Sequence, residues 1–523
     1  MNIKEIRLVT IIIIIVLKLY NVNGQDCPPD DIIFFNQESI DDYVQNYPDC
    51  KIIEGLIWIS GNKITNLDFL SQIEIIKSDF ILEDTETLLN TSGLSSLQEV
   101  HGSIEIRGNR NLVDIDEISS LLVHGTQIFI TGNENLKLIN GFNNKQNQNT
   151  IWIRENQSLD SINAFHSIES MSGSIKIEMN DSLKYINLLS DVDSCNSLAI
   201  NFNRELNEFN GFNNLKIIES GFSILNEGQK MSIPSFNFLE ECGDIQINFS
   251  GEEIVGFTNL NFVHNDISIN FCDSLKIIDG FNSLQSVRNI NVTGSQKLHT
   301  MNAFQSVVVV DAIILQTMFN LENFNAFHSL EEVQSDLLIS SFNKIEELTD
   351  FSNLKKVKKL LISSSSGIAN IFDNLTPFEN IDVDFLEEVG IWTSPNLSIC
   401  SIDFMCEFLN KPDAIYSFAS NAPGCNSAEE ILAACDMVST SDEPSFADNI
   451  HIIPNPVSDQ LLVDLPKDLE VSAWNIYSSQ GSSLLRGNEL SKPIDVSLFE
   501  HGIYFLNLEL NRGNLVKKVI VTH

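Results

Sequence analysis

The chain has 523 residues, with 31 Lys+Arg against 71 Asp+Glu, a formal charge of -40, and is 43% hydrophobic and 20% charged. That is enough apolar material for a buried core, which excludes global disorder. The acid excess argues against a binder of nucleic acid or of an anionic membrane, since both need Lys/Arg opposite phosphate.

The first element is a secretory signal. Lys4 and Arg7 precede the apolar run Leu8 to Leu17, and Val22 and Gly24 supply small residues for a cleavage site, which predicts a signal peptide over residues 1–24. An uncleaved anchor is the alternative, but the run is short against the roughly 20 residues of a membrane span. Asp26 before Cys27 rules out a lipobox, and no other stretch is long enough to cross a bilayer, so no transmembrane helix is expected in the mature chain. Removing residues 1–24 takes away Lys4, Arg7, Lys18 and Glu5 and leaves the mature chain at -42.

Nine Cys in an exported chain read first as disulfides. Cys27 and Cys50 bracket the first mature segment; Cys400, Cys406, Cys425 and Cys435 cluster later, with three connectivities open to them. Cys195, Cys242 and Cys272 read as buried free thiols. None of the spacings fits a structural zinc site.

From about residue 51 to 395 the sequence is periodic. Apolar-x-apolar strands begin at Ile57, Phe80, Ile104, Ile128, Ile151, Ile175, Leu198, Phe222, Ile245, Ile267, Ile290, Ile313, Leu337 and Leu360, a mean spacing of about 23.3 residues. Such a period predicts a mainly β solenoid of at least 14 coils, each unable to bury its apolar face without its neighbours. Phe recurs at 142, 165, 212, 257, 281, 304, 327 and 351, with Leu188 expected to fill one gap and Phe236 near the next. An aromatic ligand track is one reading of this ladder; an internal stack along the solenoid axis is favoured. Asn recurs at 109, 133, 156, 180 and 203, where it can occupy left-handed turns and bond from coil to coil.

These residues resemble the receptor L-domain repeats, a leucine-rich-repeat-like solenoid. The resemblance implies an N-terminal disulfide cap over residues 25–50, in which Ile40 and Val44 of a short helix cover the first coil, and a cysteine-rich C-terminal cap over residues 396–435. Residues 436–449, rich in Ser, Thr, Asp and Glu, read as a linker.

The tail, residues 450–523, alternates like strands at Gln460–Asp464, Val471–Tyr477, Ser483–Leu485, Gly502–Leu510 and Leu515–Val521, which predicts a small β-sandwich. Its motifs are Pro454-Asn455-Pro456, Gly481 after Ile476-Tyr477, Gly502-Ile503-Tyr504 and the terminal Lys517-Lys518. They are similar to the type A C-terminal sorting domain of the type IX secretion system of Bacteroidota. The resemblance implies the type IX machinery as a partner, passage through the periplasm, and a secreted or outer-surface destination.

No nucleotide loop, metalloprotease helix, hydrolase elbow or calcium loop is present in the sequence. The nine His do not pair at ligand spacing, so no metal, cofactor or catalytic residue is assigned. On the outward face of the strands, the central positions hold one acid, Glu105, and one base, Lys176, three coils or roughly 14 Å apart, too far for concerted catalysis. The same positions offer Trp58, Phe129 and Trp152 as a candidate binding column, and Ile314, Leu338 and Leu361 as an aliphatic one. The expected function is therefore non-catalytic recognition or adhesion at the cell surface toward an extracellular glycan or protein. A polysaccharide-degrading β-helix enzyme and a structural surface-layer component are the alternatives.

Overall fold

In the computed structural model, residues 27–439 and 450–522 are described, apart from 126, 143–149, 170, 229, 365–371, 467–468, 479–481, 489, 491 and 512. The signal segment 1–24, the greater part of the expected linker and Gly481 lie outside the described residues. The chain divides into two units, one ending at Ile431 and one beginning at Leu432.

The first unit is a β-solenoid of about 16 turns, with about 23 residues per coil. Its main sheet is 20-stranded, and the strands of successive coils pair in parallel. Every strand start read from the sequence lies inside an observed strand. The register is strict: Ile57 pairs with Phe80, Phe80 with Ile104 and Ile104 with Ile128, so each inward side chain sits on its counterpart one coil away. Because the side-chain period is two, a slip by one residue would expel all of these apolar groups, and their burial pins the register. At both ends the third side of the coil is a short 3-10 turn, as at Asp68–Leu70 and Thr376–Phe378. In the middle it becomes strand, as at Ser161–Ala164 and Thr300–Ala303.

The Phe ladder is internal. Phe212, Phe236, Phe257, Phe281, Phe304, Phe327, Phe351 and Phe378 form one stack, with neighbouring ring centres 4.7 to 6.3 Å apart. Phe142 and Phe165 form a second, shorter stack. The rung after Phe165 is Leu189, not Leu188: Leu189 shares the left-handed backbone of the ladder (φ 52), whereas Leu188 pairs one position earlier with Ala164. Most of these Phe residues have φ between 45 and 63. Left-handed backbone costs a non-glycine residue about 1–2 kcal/mol, less than the ~1.5–3 kcal/mol gained by burying a Phe side chain.

The Asn ladder is also internal, but the left-handed residue is the one before each Asn: Gly108, Gly132, Glu155, Met179 and Phe202. That turn tucks the following Asn inside, where Asn109, Asn133, Asn156, Asn180 and Asn203 are buried. Thr85 begins the ladder and Asn226 ends it.

At the N-terminal end, Cys27 and Cys50 form a disulfide. Helix α1 (Gln37–Asn46) starts with a capping box between Asn36 and Ser39. Its buried pair is Ile40 and Tyr43; Val44, expected inside, is half-buried because the i+3 position faces the coil more squarely here. At the other end, Cys400 and Cys425 form a disulfide, and Cys406 and Cys435 are also disulfide-bonded. Helix α2 (Asp403–Leu409) follows Cys400 and carries Cys406, and Ile415–Ala419 adds a last parallel strand against Glu388–Trp392. Helix α3 (Ala428–Ser439) takes in the first four residues of the expected linker.

The second unit contains a three-stranded and a four-stranded antiparallel sheet. Side chains from both sheets share one core that includes Leu461, Trp474, Ile476, Ile494, Tyr504, Leu508 and Val519. The expected strands are present, and His451–Ile453 and Ile494–Asp495 complete the smaller sheet.

Candidate binding face

The outward face of the main sheet carries one central column running in register through Trp58, Ile81, Glu105, Phe129, Trp152 and Lys176. Their strands alternate, so these side chains point away from the core while Ile57, Ile59, Ile104 and Ile106 beside them are fully buried.

Phe129 and Trp152 are brought together, with ring centres 5.9 Å apart and edge to face. The Arg154 guanidinium and the Lys176 ammonium lie 5.6 and 5.7 Å from the Trp152 ring centre, a cation–π arrangement. Trp58 is not part of this group. Two rungs, Ile81 and Glu105, separate it from Phe129, and it packs against Phe35 and donates from Nε1 to Glu83 Oε1 at 3.0 Å. All three aromatic residues are half-buried.

Toward the other end, Ile314, Leu338 and Leu361 follow one another in register. The next rung is Gly390, and a Cβ there would lie 2.1 Å from Trp392 Cη2, so the Trp392 ring covers the glycine. Trp392 thereby extends the aliphatic strip. Sequence spacing misses it because Trp392 stands two residues beyond the column position; only the glycine before it signals a ring folding back.

The neighbouring column adds charge that the central column alone does not reveal. Arg107 donates from Nε to Glu83 Oε2 at 2.6 Å, and its Nη1 lies 3.0 Å from Glu105 Oε2. Two carboxylates and one guanidinium thus meet on the open face between Trp58 and Phe129. Lys176 stays three rungs from Glu105, as the spacing indicates.

The sequence reading of the histidines needs correction. His101 and His124 hold the same position in consecutive coils, and their ring centres are 4.7 Å apart. Glu99 Oε2 lies 3.0 Å from His101 Nε2 and 3.5 Å from His124 Nε2. A separation of 23 residues hides this pair from linear motifs, whereas the coil period places it side by side. His166 and His328, by contrast, contact different partners, Asn163 and Asp350.

A shallow depression of about 550 Å³ lies on a different side of the coil, bordered by Tyr185, Asn187, Glu208, Asn210, Asn213 and Ser235.

In the second unit, Asn455 ties the Pro454-Asn455-Pro456 segment to the last strand. Its Nδ2 donates to the Lys518 carbonyl at 3.0 Å, and its Oδ1 accepts from the Ile520 N–H at 2.8 Å. Gly502 opens the strand that pairs with Lys517 and Lys518, and the Tyr504 hydroxyl donates to the Glu500 carbonyl at 2.8 Å. Residues 451–522 match the model of the secretion system C-terminal sorting domain. The match indicates secretion through the type IX system to the cell surface or outside. No curated protein matches the chain. Among the described residues, no helix is long and apolar enough to cross a membrane.

Proposed function

We propose that this chain is a non-catalytic recognition or adhesion protein, a receptor L-domain-like solenoid delivered to the outer cell surface. The segment 1–24 directs it to the periplasm, and the sorting domain hands it to the type IX machinery. The observation that carries the reading is the outward column of the main sheet, where half-buried aromatic and aliphatic side chains repeat at the coil spacing. Repetition at about 4.8 Å favours an extended partner contacted at several rungs. Trp58, Phe129 and Trp152 are the proposed ligand-binding residues. With Arg154 and Lys176 beside Trp152, the partner best suited to this patch is an acidic glycan, which offers carboxylates to the cations and ring faces to the aromatics.

An array of glycans and surface proteins probed with the mature chain tests this. Retention of acidic glycans above neutral ones supports the proposal, and retention of neither glycans nor proteins contradicts it.

The second reading, a polysaccharide-degrading β-helix enzyme, is favoured by the Glu83–Arg107–Glu105 cluster. Both carboxylates lie against the same guanidinium, so two acids and one cation share one face of the sheet. Release of reducing ends or unsaturated products from an acidic polysaccharide, lost in Glu83→Gln and Glu105→Gln, would establish it.

A further inference from the structure

Glu99, His101 and His124 place three metal-ligating atoms within 4.8 Å of one another. The fold produces this arrangement directly. Strand Glu99–Val100 pairs with Leu122–Val123, and Val100 and Val123 are buried, so the residues flanking them turn outward. The His124 N–H donates to the Val100 carbonyl at 2.8 Å, which fixes the two histidines one rung apart.

The distances suit a small tetrahedral ion. Zinc binds imidazole nitrogen and carboxylate oxygen at about 2.0–2.2 Å, which puts its donors about 3.3 Å from one another. The two carboxylate-to-imidazole distances, 3.0 and 3.5 Å, bracket that value. Neutral imidazoles that donate N–H to the Glu99 carboxylate are the competing account of these distances, and that account predicts no saturable ion binding. We propose that Glu99, His101 and His124 bind one divalent ion of the zinc class, leaving a fourth position to water or to a donor from a partner. The site is partly solvent-exposed, so the ion can enter without any opening of the fold.

His264 supplies an internal control: it contacts Glu241 at 2.6 Å in a comparable position and has no second imidazole among the described ligand groups.

The test is titration of the full mature chain with Zn²⁺ by calorimetry at about pH 7.5, where free imidazoles are mostly neutral, in excess Mg²⁺ to mask the acidic surface. Cobalt(II) is the spectroscopic probe. The proposal predicts one saturable ion per chain and the visible absorption of four-coordinate cobalt. His101→Ala and His124→Ala each weaken binding at least about tenfold, since losing even a hydrogen-bond partner of a metal ligand costs about 10–100-fold, while His264→Ala leaves it unchanged. Circular dichroism confirms that each variant is folded. Absence of saturable binding, or binding unaffected by His101→Ala and His124→Ala, overturns it.

Discussion

Asn133 Oδ1 accepts two hydrogen bonds from Asn109, one from its backbone N–H at 3.1 Å and one from its side-chain amide at 3.0 Å. The Asn109 amide also donates to the Leu82 carbonyl at 2.9 Å. Each ladder residue therefore satisfies backbone groups of other coils while its own side chain is buried, and the pattern repeats to Asn203.

Substituting a middle rung should consequently cost more than one hydrogen bond. Asn156→Ala removes the acceptor for Asn133 N and Nδ2 and the donor to the Ile130 carbonyl. Each buried group left unpaired costs about 1–3 kcal/mol. The expected loss is about 3 kcal/mol or more, read as a lower denaturant midpoint of the solenoid transition. An unchanged midpoint would mean that water replaces the amide.

The Phe stack predicts a graded response. Phe281 lies between Phe257 and Phe304, with ring centres 4.7 and 5.3 Å away. Phe281→Ala should cost about 3–5 kcal/mol through the cavity it leaves. Phe281→Leu, which reproduces the rung at Leu189, should cost about 1–2 kcal/mol. Equal losses would argue that ring stacking, not filled volume, sets the cost.

Coil periodicity is legible in the sequence because it depends on inward side chains that must be apolar, such as Ile104 and Ile106, and the outward column follows from the alternation. What escapes the sequence involves side chains that reach across coils or fold back. Glu83 and Glu105 share Arg107 from adjacent columns, His101 meets His124 across a full coil, and Trp392 covers Gly390. The left-handed position before Asn was also hidden, because Gly108, Glu155 and Phe202 have no side-chain property in common. In the candidate binding column, spacing placed Trp58, Phe129 and Trp152 on one line. It could not show that Glu83 and Phe35 engage Trp58 while cations flank Trp152.

Asp350 gives a pH prediction. Burial raises its carboxyl above the ordinary range, although the Ala326 N–H at 2.8 Å and His328 act in the opposite direction. The folded state therefore holds this proton to higher pH than the unfolded chain does. Its contribution to stability is present at low pH and is lost as pH rises through the raised value. Asp350→Asn keeps an acceptor for Ala326 without the buried charge. It should raise the melting midpoint at neutral pH and match the parent near about pH 3, where both states of the parent are mostly protonated. A lower midpoint at neutral pH would assign the larger effect to the His328 contact.

The three thiols should be inert in the folded chain. Cys195, Cys242 and Cys272 are buried, and desolvation pushes the first and last up to about 12 and Cys242 upward as well. Thiolate is the reactive form, so iodoacetamide should label none of them in the native protein and all three after denaturation. Labelling without denaturant would show that the coils around them open.

The central claim is that the outward aromatic column binds an extracellular partner. Its most direct test compares the dissociation constant of the strongest array ligand for the mature chain and for the Trp58→Ala/Trp152→Ala double variant, with circular dichroism to confirm folding. Loss of two aromatic contacts predicts weakening by about a hundredfold, from roughly 1–2 kcal/mol for each truncated Trp. Unchanged affinity in a folded double variant would contradict the claim and move recognition off this face.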